Sequence, residues 1–288
     1  MADGDKDSAP KRPRAGSAAG KTAVTPKGAA RKPGRAAGPK LAAKAQALLE
    51  EQATTRPARR RAVANAAAAA IGGGFHPWTR EEVTTAFARF EAADPEPKGE
   101  LDYHDPFTLL VAVVLSAQAT DTGVNKATRG LFAAAPTPEA MVALGEEGVA
   151  GHIRTLGLYR GKAKNVVELS RRLIAQHGGQ VPPDRAMLEE LPGVGRKTAN
   201  VVLNIAFQLP TIAVDTHLFR VANRTGLAPG KTPLEVELGL ERVIPDRFKL
   251  HAHHWLILHG RYVCKAIKPD CLRCLIADLC RWPEKTAV

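Results

Sequence analysis

The stretch from Phe107 to Ala117 is apolar on nearly every side and reads FTLLVAVVLSA. A helix that is apolar all round is buried at the centre of a domain, so the surrounding chain must pack against it. The apolar run is also far shorter than the roughly 20 residues that a bilayer-spanning helix needs. The segment therefore predicts a soluble fold built around one central helix.

Helix signals recur from residue 76 onward, whereas strand signals are scarce. Thr79 and Glu82 form a capping-box pattern at the start of a helix. One apolar face follows at helical spacing, formed by Val83, Ala86, Phe87 and Phe90. Thr137 and Thr232 each precede a proline, as an N-cap precedes a proline at the first helical position. The chain is therefore predicted to be all-α.

The positive charge is concentrated at the N-terminus. Of the formal net charge of +12, residues 1–72 carry +10, from fifteen Lys/Arg and five Asp/Glu. This segment is rich in Ala, Pro and Gly and has no aromatic residue. Residues 1–75 are therefore predicted to be a disordered basic arm that attracts nucleic acid non-specifically. A solvated tail without a dedicated role is the alternative.

No targeting signal is evident in the sequence. Asp3, Asp5 and Asp7 occupy the region where a secretory signal is basic, and no apolar core follows them. The same acidic residues disfavour an organellar transit peptide. We expect a soluble, intracellular protein that does not engage a membrane.

Lys197 stands at the opening of an apolar helix, directly after a Gly-x-Gly turn, in the stretch LPGVGRKTANVVL. A cation there faces the positive end of the helix dipole, which costs roughly 0.3–1 kcal/mol. Gly193, Val194 and Gly195 leave backbone N–H groups that can receive a phosphate oxygen. A plain turn between two helices fits these three residues equally well.

The wider sequence resembles the helix–hairpin–helix DNA glycosylase superfamily, and within it the iron–sulfur enzymes that combine glycosylase and lyase activities. The motifs that carry the resemblance are LPGVGRKTANVVL and TIAVDTHLFRVANR, and the similarity extends over about residues 78–288. It implies that Lys197 is the nucleophile and Asp215 the catalytic carboxylate. A helix N-terminus and partial burial both lower a lysine pKa, which favours the neutral amine that attack requires. Asp215 can alternatively be a plain N-cap of the following helix.

All four cysteines lie near the C-terminus, with the spacing C-x6-C-x2-C-x5-C. Clustered thiols in an intracellular protein favour a metal over disulfides. Structural zinc usually binds two close pairs, whereas only the middle pair is close here. The resemblance implies a [4Fe–4S] cluster bound by Cys264, Cys271, Cys274 and Cys280.

The resemblance also implies residues that contact DNA. Gln118, in LSAQATD, fills the space left by a flipped base, and Leu158, in LGLYR, wedges into the duplex. The alternatives are a helix end that reaches solvent for Gln118 and an ordinary buried position for Leu158. Lys268, beside the cysteines, is predicted to contact the phosphate backbone, or else to be a solubilising charge. Four histidines are assigned to the core or the DNA-facing surface: His217, His253, His254 and His259.

The implied architecture is two helical domains with a DNA-binding cleft between them. Residues 100–209 form a six-helix barrel that contains the helix–hairpin–helix. Residues 76–99 and 210–288 form the domain that holds the iron–sulfur cluster.

The implied activity is excision of oxidised pyrimidines from duplex DNA and cleavage 3′ of the abasic site, by a monomeric enzyme at the nucleoid in the cytoplasm. A monofunctional mismatch glycosylase is one alternative, although Lys197 argues against it. A non-catalytic iron–sulfur protein that binds DNA is the other.

Overall fold

Eleven α-helices span the part of the chain that the computed structural model describes, residues 57–286. They are Pro57–Gly72 (α1), Arg80–Ala93 (α2), Pro106–Leu115 (α3), Asp121–Ala134 (α4), Pro138–His152 (α5), Tyr159–His177 (α6), Arg185–Glu189 (α7), Arg196–Phe207 (α8), Thr216–Thr225 (α9), Pro233–Val243 (α10) and Asp246–Leu258 (α11). A π-helical turn, His259–Val263, continues α11, and a 3₁₀ turn, Cys271–Arg273, lies among the cysteines. No strand occurs within these residues, which confirms the all-α prediction.

Local capping explains where several helices begin. The Thr79 hydroxyl accepts from the Glu82 amide at 3.1 Å, and the Glu82 carboxylate accepts from the Thr79 amide at 2.8 Å. Thr137 and Thr232 cap α5 and α10, each before a proline. Asp105 caps α3 in the same manner. The capping patterns predicted at Thr79, Thr137 and Thr232 are therefore confirmed.

The central helix α3 is buried along its length, as its sequence predicts. Every residue from Phe107 to Leu115 is buried, and Ser116 is the C-cap. The first hydrophobic core surrounds α3 and draws on residues 107–203, from α3 to α8. The second joins α2 to residues 212–276. A small cluster of Leu109, Val113, Val201 and Ala213 packs α3 and α8 against the segment that leads to α9.

The division into two domains with boundaries at 100 and 209 stays a prediction, although the two cores are built from matching parts of the chain. None of the helices between residues 57 and 286 is long and apolar enough to span a membrane.

Helix α1 corrects the predicted extent of the basic arm. Residues 57–72 are helical, whereas the sequence analysis placed them in a disordered segment. The run AVANAAAAA explains the difference, because alanine has the highest helix propensity but gives no strong apolar periodicity. Helix α1 packs against α9, and the side-chain amide of Asn65 donates to the Thr216 carbonyl at 3.1 Å. The remainder of the predicted arm, residues 1–56, lies outside the described residues.

Candidate active site

A cavity of about 420 Å³, the central cavity, lies among the end of α3, the start of α8, the start of α9 and the C-terminal half of α11. Lys197, Asp215 and Gln118 all line it. Lys197 and Asp215 stand on different helices, so the fold brings the two residues predicted to be catalytic to the same cavity. Leu158, the hairpin residues 193–195 and Lys268 are not part of this lining.

Lys197 is the second residue of α8, whose N-cap is Gly195 and whose first turn contains no acidic residue. Burial lowers the pKa of its amine, because the charged form loses solvation. The carboxylates of Asp215 and Asp121 oppose this shift, and the Arg261 guanidinium adds to it. The site therefore makes the neutral amine easier to reach than in solvent, and the Asp215 carboxylate acts on that amine electrostatically.

Asp215 is the N-cap of α9. Its Oδ1 accepts from the amides of His217 and Leu218, at 2.8 Å each. Both bonds use one carboxylate oxygen, so capping does not engage Oδ2. The capping interpretation is confirmed, and because Asp215 also lines the cavity, capping leaves the predicted catalytic role open.

The turn before α8 uses its two glycines differently. Gly193 has a φ of 80°, and a Cβ there would lie 3.0 Å from the Asn165 side-chain nitrogen, so both conformation and space require glycine. Gly195 has a φ of −108°, a backbone conformation that does not require glycine. A Cβ at Gly195 would meet nothing within 4 Å, and the residue is exposed. Open space beside α8 amides is what a phosphate contact needs, whereas Val194 between them is buried.

An ion-pair cluster that the sequence analysis missed closes one side of the cavity. Arg261, on the π-helical turn, pairs with both Glu100 and Asp121. The Tyr262 hydroxyl donates to Glu100. Asp121 and Gln118 follow α3 closely in sequence, but Glu100 and Arg261 come from distant segments. No local pattern marks either residue, so only the fold shows that they meet.

Gln118 and Leu158 share an uncommon backbone conformation. Their φ angles are 56° and 60°, in the left-handed region that residues other than glycine rarely adopt. Gln118 lies three residues past the end of α3 and is exposed, and Leu158 is 70% exposed at the start of α6. The alternative of an ordinary buried leucine is therefore wrong. The wedge contact of Leu158 with DNA stays a prediction, because single exposed apolar side chains are common on protein surfaces.

Two of the four histidines are buried, and all four have depressed pKa values. His253 and His259 are buried; His217 and His254 are partly buried. Desolvation is the main cause in each case, and it lowers the pKa of His254 to about 4. His217, His253 and His254 line the central cavity, and His259 packs against the Phe90 ring. The assignment to the core or to the cleft surface fits these positions.

The four cysteines are free thiols that line one small cavity together with Arg224 and Trp282. The Arg224 guanidinium donates to the Cys264 sulfur at 3.7 Å and lies 5.1 Å from the centre of the Trp282 ring. Burial raises the pKa of the Cys274 thiol to about 12, so a bound metal would be needed to hold it as a thiolate. No group of three or more His, Cys, Asp or Glu within residues 57–286 is arranged around a single ion.

Lys268 lies in the loop between the first two cysteines. It is exposed, with a φ of 53°. Its ammonium is thus accessible to a phosphate, but its predicted DNA contact stays a prediction.

The fold and the site define a helical DNA-repair protein. The model of the HhH-GPD superfamily of base excision DNA repair proteins matches residues 111–246. Endonuclease III of Escherichia coli K12 is 58% identical to this chain over 200 residues, which are 69% of this chain and 95% of that protein. Endonuclease III of Haemophilus influenzae is 57% identical over 197 residues, 68% of this chain and 93% of that protein.

Among solved structures, a trapped endonuclease III–DNA covalent intermediate superposes with a TM-score of 0.67 and 45% identity, covering 71% of this chain and 96% of that one. This chain belongs to the endonuclease III family. The superfamily, the helical fold and the class of enzyme predicted from the motifs are thereby confirmed.

Proposed function

We propose that this protein is a bifunctional DNA glycosylase and abasic-site lyase that removes oxidised pyrimidines from duplex DNA in base excision repair. The observation that carries the proposal is the presence of both Lys197 and Asp215 in the lining of the central cavity, where burial lowers the pKa of the lysine. The similarity to a trapped endonuclease III–DNA covalent intermediate supports it, because a covalent intermediate requires a protein nucleophile.

The chemistry follows from these two side chains. The Asp215 carboxylate takes a proton from the Lys197 ammonium, and the freed Nζ lone pair attacks C1′ of the damaged nucleotide. The bond from C1′ to the base breaks, and the departing base carries away the electron pair and gains a proton. The sugar ring then opens, its ring oxygen becomes a hydroxyl, and C1′ is joined to Lys197 as an imine.

The imine also accounts for strand cleavage. It acidifies the hydrogen on C2′, so loss of that proton expels the 3′ phosphate by β-elimination. Asp215 additionally stabilises positive charge that develops on the sugar. A monofunctional glycosylase would use water instead and would not need a partly buried lysine at this position.

The contacts that present the DNA lie outside the central cavity, except for Gln118. The exposed Leu158 wedges into the duplex, and Gln118 at the cavity wall occupies the gap left by the flipped base. The hairpin glycines and Lys268 bind phosphates on either side. The protein acts as a monomer on duplex DNA with damaged bases or abasic sites, and the nucleoid of the cytoplasm is where that substrate lies.

The donor set of the cysteine cavity fits a [4Fe–4S] cluster. Cys264, Cys271, Cys274 and Cys280 would hold it, since all four line this cavity and four thiolates ligate such clusters. The cluster would fix the C-terminal loop that carries Lys268. The catalytic steps involve the residues of the central cavity alone.

Borohydride trapping on a duplex with one oxidised pyrimidine tests the proposal. Borohydride reduces the imine, so the wild type should form a covalent protein–DNA adduct and Lys197→Gln should form none. Lys126→Gln, at an exposed position on α4, is the matched control and should trap like the wild type. Base release without an adduct would establish a monofunctional enzyme, and binding with no reaction on oxidised or abasic duplexes would establish a non-catalytic DNA-binding protein.

A further inference from the structure

A second cavity of about 530 Å³, the distal cavity, adjoins the central one. Both cavities lie within the size range of sites for small molecules. Their linings share five residues: Lys98, Gly99, Tyr103, Ile205 and His254. The two spaces are thus neighbours that share part of their lining.

The distal cavity extends away from the end of α8 that carries Lys197. Along α8, Lys197 and Val201 line the central cavity, Ile205 lines both, and Gln208 lines the distal one. Helix α11 runs in the opposite direction past the two cavities, because Leu250 lines the distal cavity and Leu258, later in the helix, lines the central one. From Lys197 to Gln208 the helix rises about 16 Å. The two cavities therefore lie one after the other along α8 and α11, with the distal cavity farther from the hairpin.

The junction of the two cavities, where their linings are shared, lacks a side chain at Gly99. A Cβ at Gly99 would lie 3.7 Å from the Nε2 of His254 and 3.9 Å from the Cδ1 of Ile205. Gly99 thus faces these two side chains across the junction. The Nε2 of His254 is the atom that faces Gly99, so the shared lining offers a polar atom to a ligand in either cavity.

We propose that the distal cavity receives the excised base and is its route out of the enzyme. The ligand is a free, uncharged pyrimidine base, whose alternating N–H and C=O groups can bond to His254. This inference rests on the proposed function. While C1′ is bonded to Lys197, the duplex lies over the mouth of the central cavity, so the base needs another exit.

The route has a chemical consequence. A base that stays beside the imine can add back to C1′ and reverse the cleavage, whereas a base that has moved past Gly99 cannot. Clearance of the base thus makes its excision irreversible. A duplex that already contains an abasic site has no base to clear, so its cleavage is independent of the distal cavity.

Two obstructing variants test the route. His251→Trp places a larger side chain in the distal cavity, where His251 lines the wall beside Trp255, and Gly99→Val narrows the junction. Arg247→Trp, at an exposed position on α11 outside both cavities, controls for the first, and Gly99→Ala, whose Cβ makes ordinary contacts, controls for the second.

For each variant, single-turnover strand cleavage is measured on an oxidised-pyrimidine duplex and on an abasic duplex, and the ratio of the two rates is compared. The obstructing variants should lower this ratio about tenfold, and a labelled base should remain with the borohydride-trapped complex after gel filtration. The controls should keep the wild-type ratio. Unchanged ratios in both obstructing variants would overturn the route while leaving the glycosylase intact. Failure of the wild type to trap on an abasic duplex would instead overturn the proposed function, and the route with it.

Discussion

The carboxylate of Asp215 and the amine of Lys197 line one cavity and act on each other electrostatically. The carboxylate raises the pKa of the amine, against the larger lowering that burial causes. The same carboxylate caps α9 through Oδ1. Asp215 therefore has a structural and an electrostatic effect that one substitution can separate.

Asp215→Asn should keep the cap and lose the charge. Asparagine caps as well as aspartate, so the free energy of unfolding should change by less than about 0.5 kcal/mol. Glycosylase activity should fall roughly 10²-fold or more, because the group that takes the proton is gone. Without the carboxylate the pKa of Lys197 falls further, so the pH profile of imine trapping on abasic DNA should shift to lower pH.

Asp184→Asn is the matched control for that substitution. Asp184 caps α7 through a 3.0 Å bond from the Met187 amide and does not line the central cavity. The Asp184→Asn variant should leave both the glycosylase activity and the pH profile of imine trapping unchanged. Full glycosylase activity in Asp215→Asn would show that Asp215 serves only as the N-cap of α9.

Lys197→Met should abolish trapping yet stabilise the fold. In the unfolded chain the pKa of the Lys197 amine is about 10.5, and in the folded protein it is lower. Burying the cation thus costs free energy at pH 7, and the cost disappears as the pH rises toward 10.5. Urea unfolding should show a gain of about 1 kcal/mol at pH 7 that fades in alkali. Lys126→Met should show no such gain in the free energy of unfolding. An equal gain in that variant would mean that burial of the Lys197 cation is not the cause of the stabilisation.

His254 should make the protein sensitive to acid. Burial, together with the charge of His251, lowers the pKa of His254 from 6.5 to about 4. Between these values the unfolded chain binds more protons than the folded one, so stability falls as the pH drops from 6.5 toward 4. The contribution is about 2 kcal/mol after allowance for solvent screening. His254→Asn should flatten the loss between pH 7 and pH 5 in urea titrations, whereas His76→Asn, at an exposed site, should retain it.

Asn65 should anchor α1. Its side chain is buried, donates to the Thr216 carbonyl and accepts from the Arg220 guanidinium at 3.3 Å. Asn65→Ala leaves both partners without this contact and should destabilise the protein by about 2 kcal/mol. Limited proteolysis should then cut within residues 57–72 faster than in Ala66→Ser, a change at the exposed neighbouring position. Equal cutting rates would show that packing alone holds α1.

Lys268→Glu should weaken DNA binding and make it less dependent on salt. Loss of one phosphate contact reduces the slope of log K against log[salt] by about 1. Lys231→Glu, an equal change of charge at an exposed residue outside the cysteine loop, separates a local contact from a change in net charge. A common slope for both variants would assign Lys268 to solubility alone.

The features that sequence predicted well are those decided by neighbours in the chain. The caps at Thr79 and Thr232 depend on residues three positions apart, and the burial of α3 follows from its own composition. The place of Lys197 in the first turn of α8 is likewise local.

The features that sequence did not predict depend on distant segments. Arg261 meets Glu100 across 161 positions, and Asn65 meets Thr216 across 151. No periodic pattern or fixed spacing in the sequence marks such pairs, because the fold alone decides which side chains face each other. The α1 helix was missed for another reason, since alanine promotes helix without producing a pattern.

Helix α9 links two parts of the molecule that share no cavity. Asp215 caps its first turn, and Arg224, near its other end, donates to the carbonyls of Lys265 and Ala266 in the cysteine loop. Ten residues of helix make a rod about 15 Å long, too short to bend appreciably. A shift of the cysteine loop at Lys265 and Ala266 would therefore move α9 as a rigid body. The Asp215 carboxylate at the other end of α9 would move with it. In the proposed mechanism the loop contributes no atom to the reaction, yet we expect a displacement of the loop to lower activity by moving the Asp215 carboxylate, which the loop does not contact.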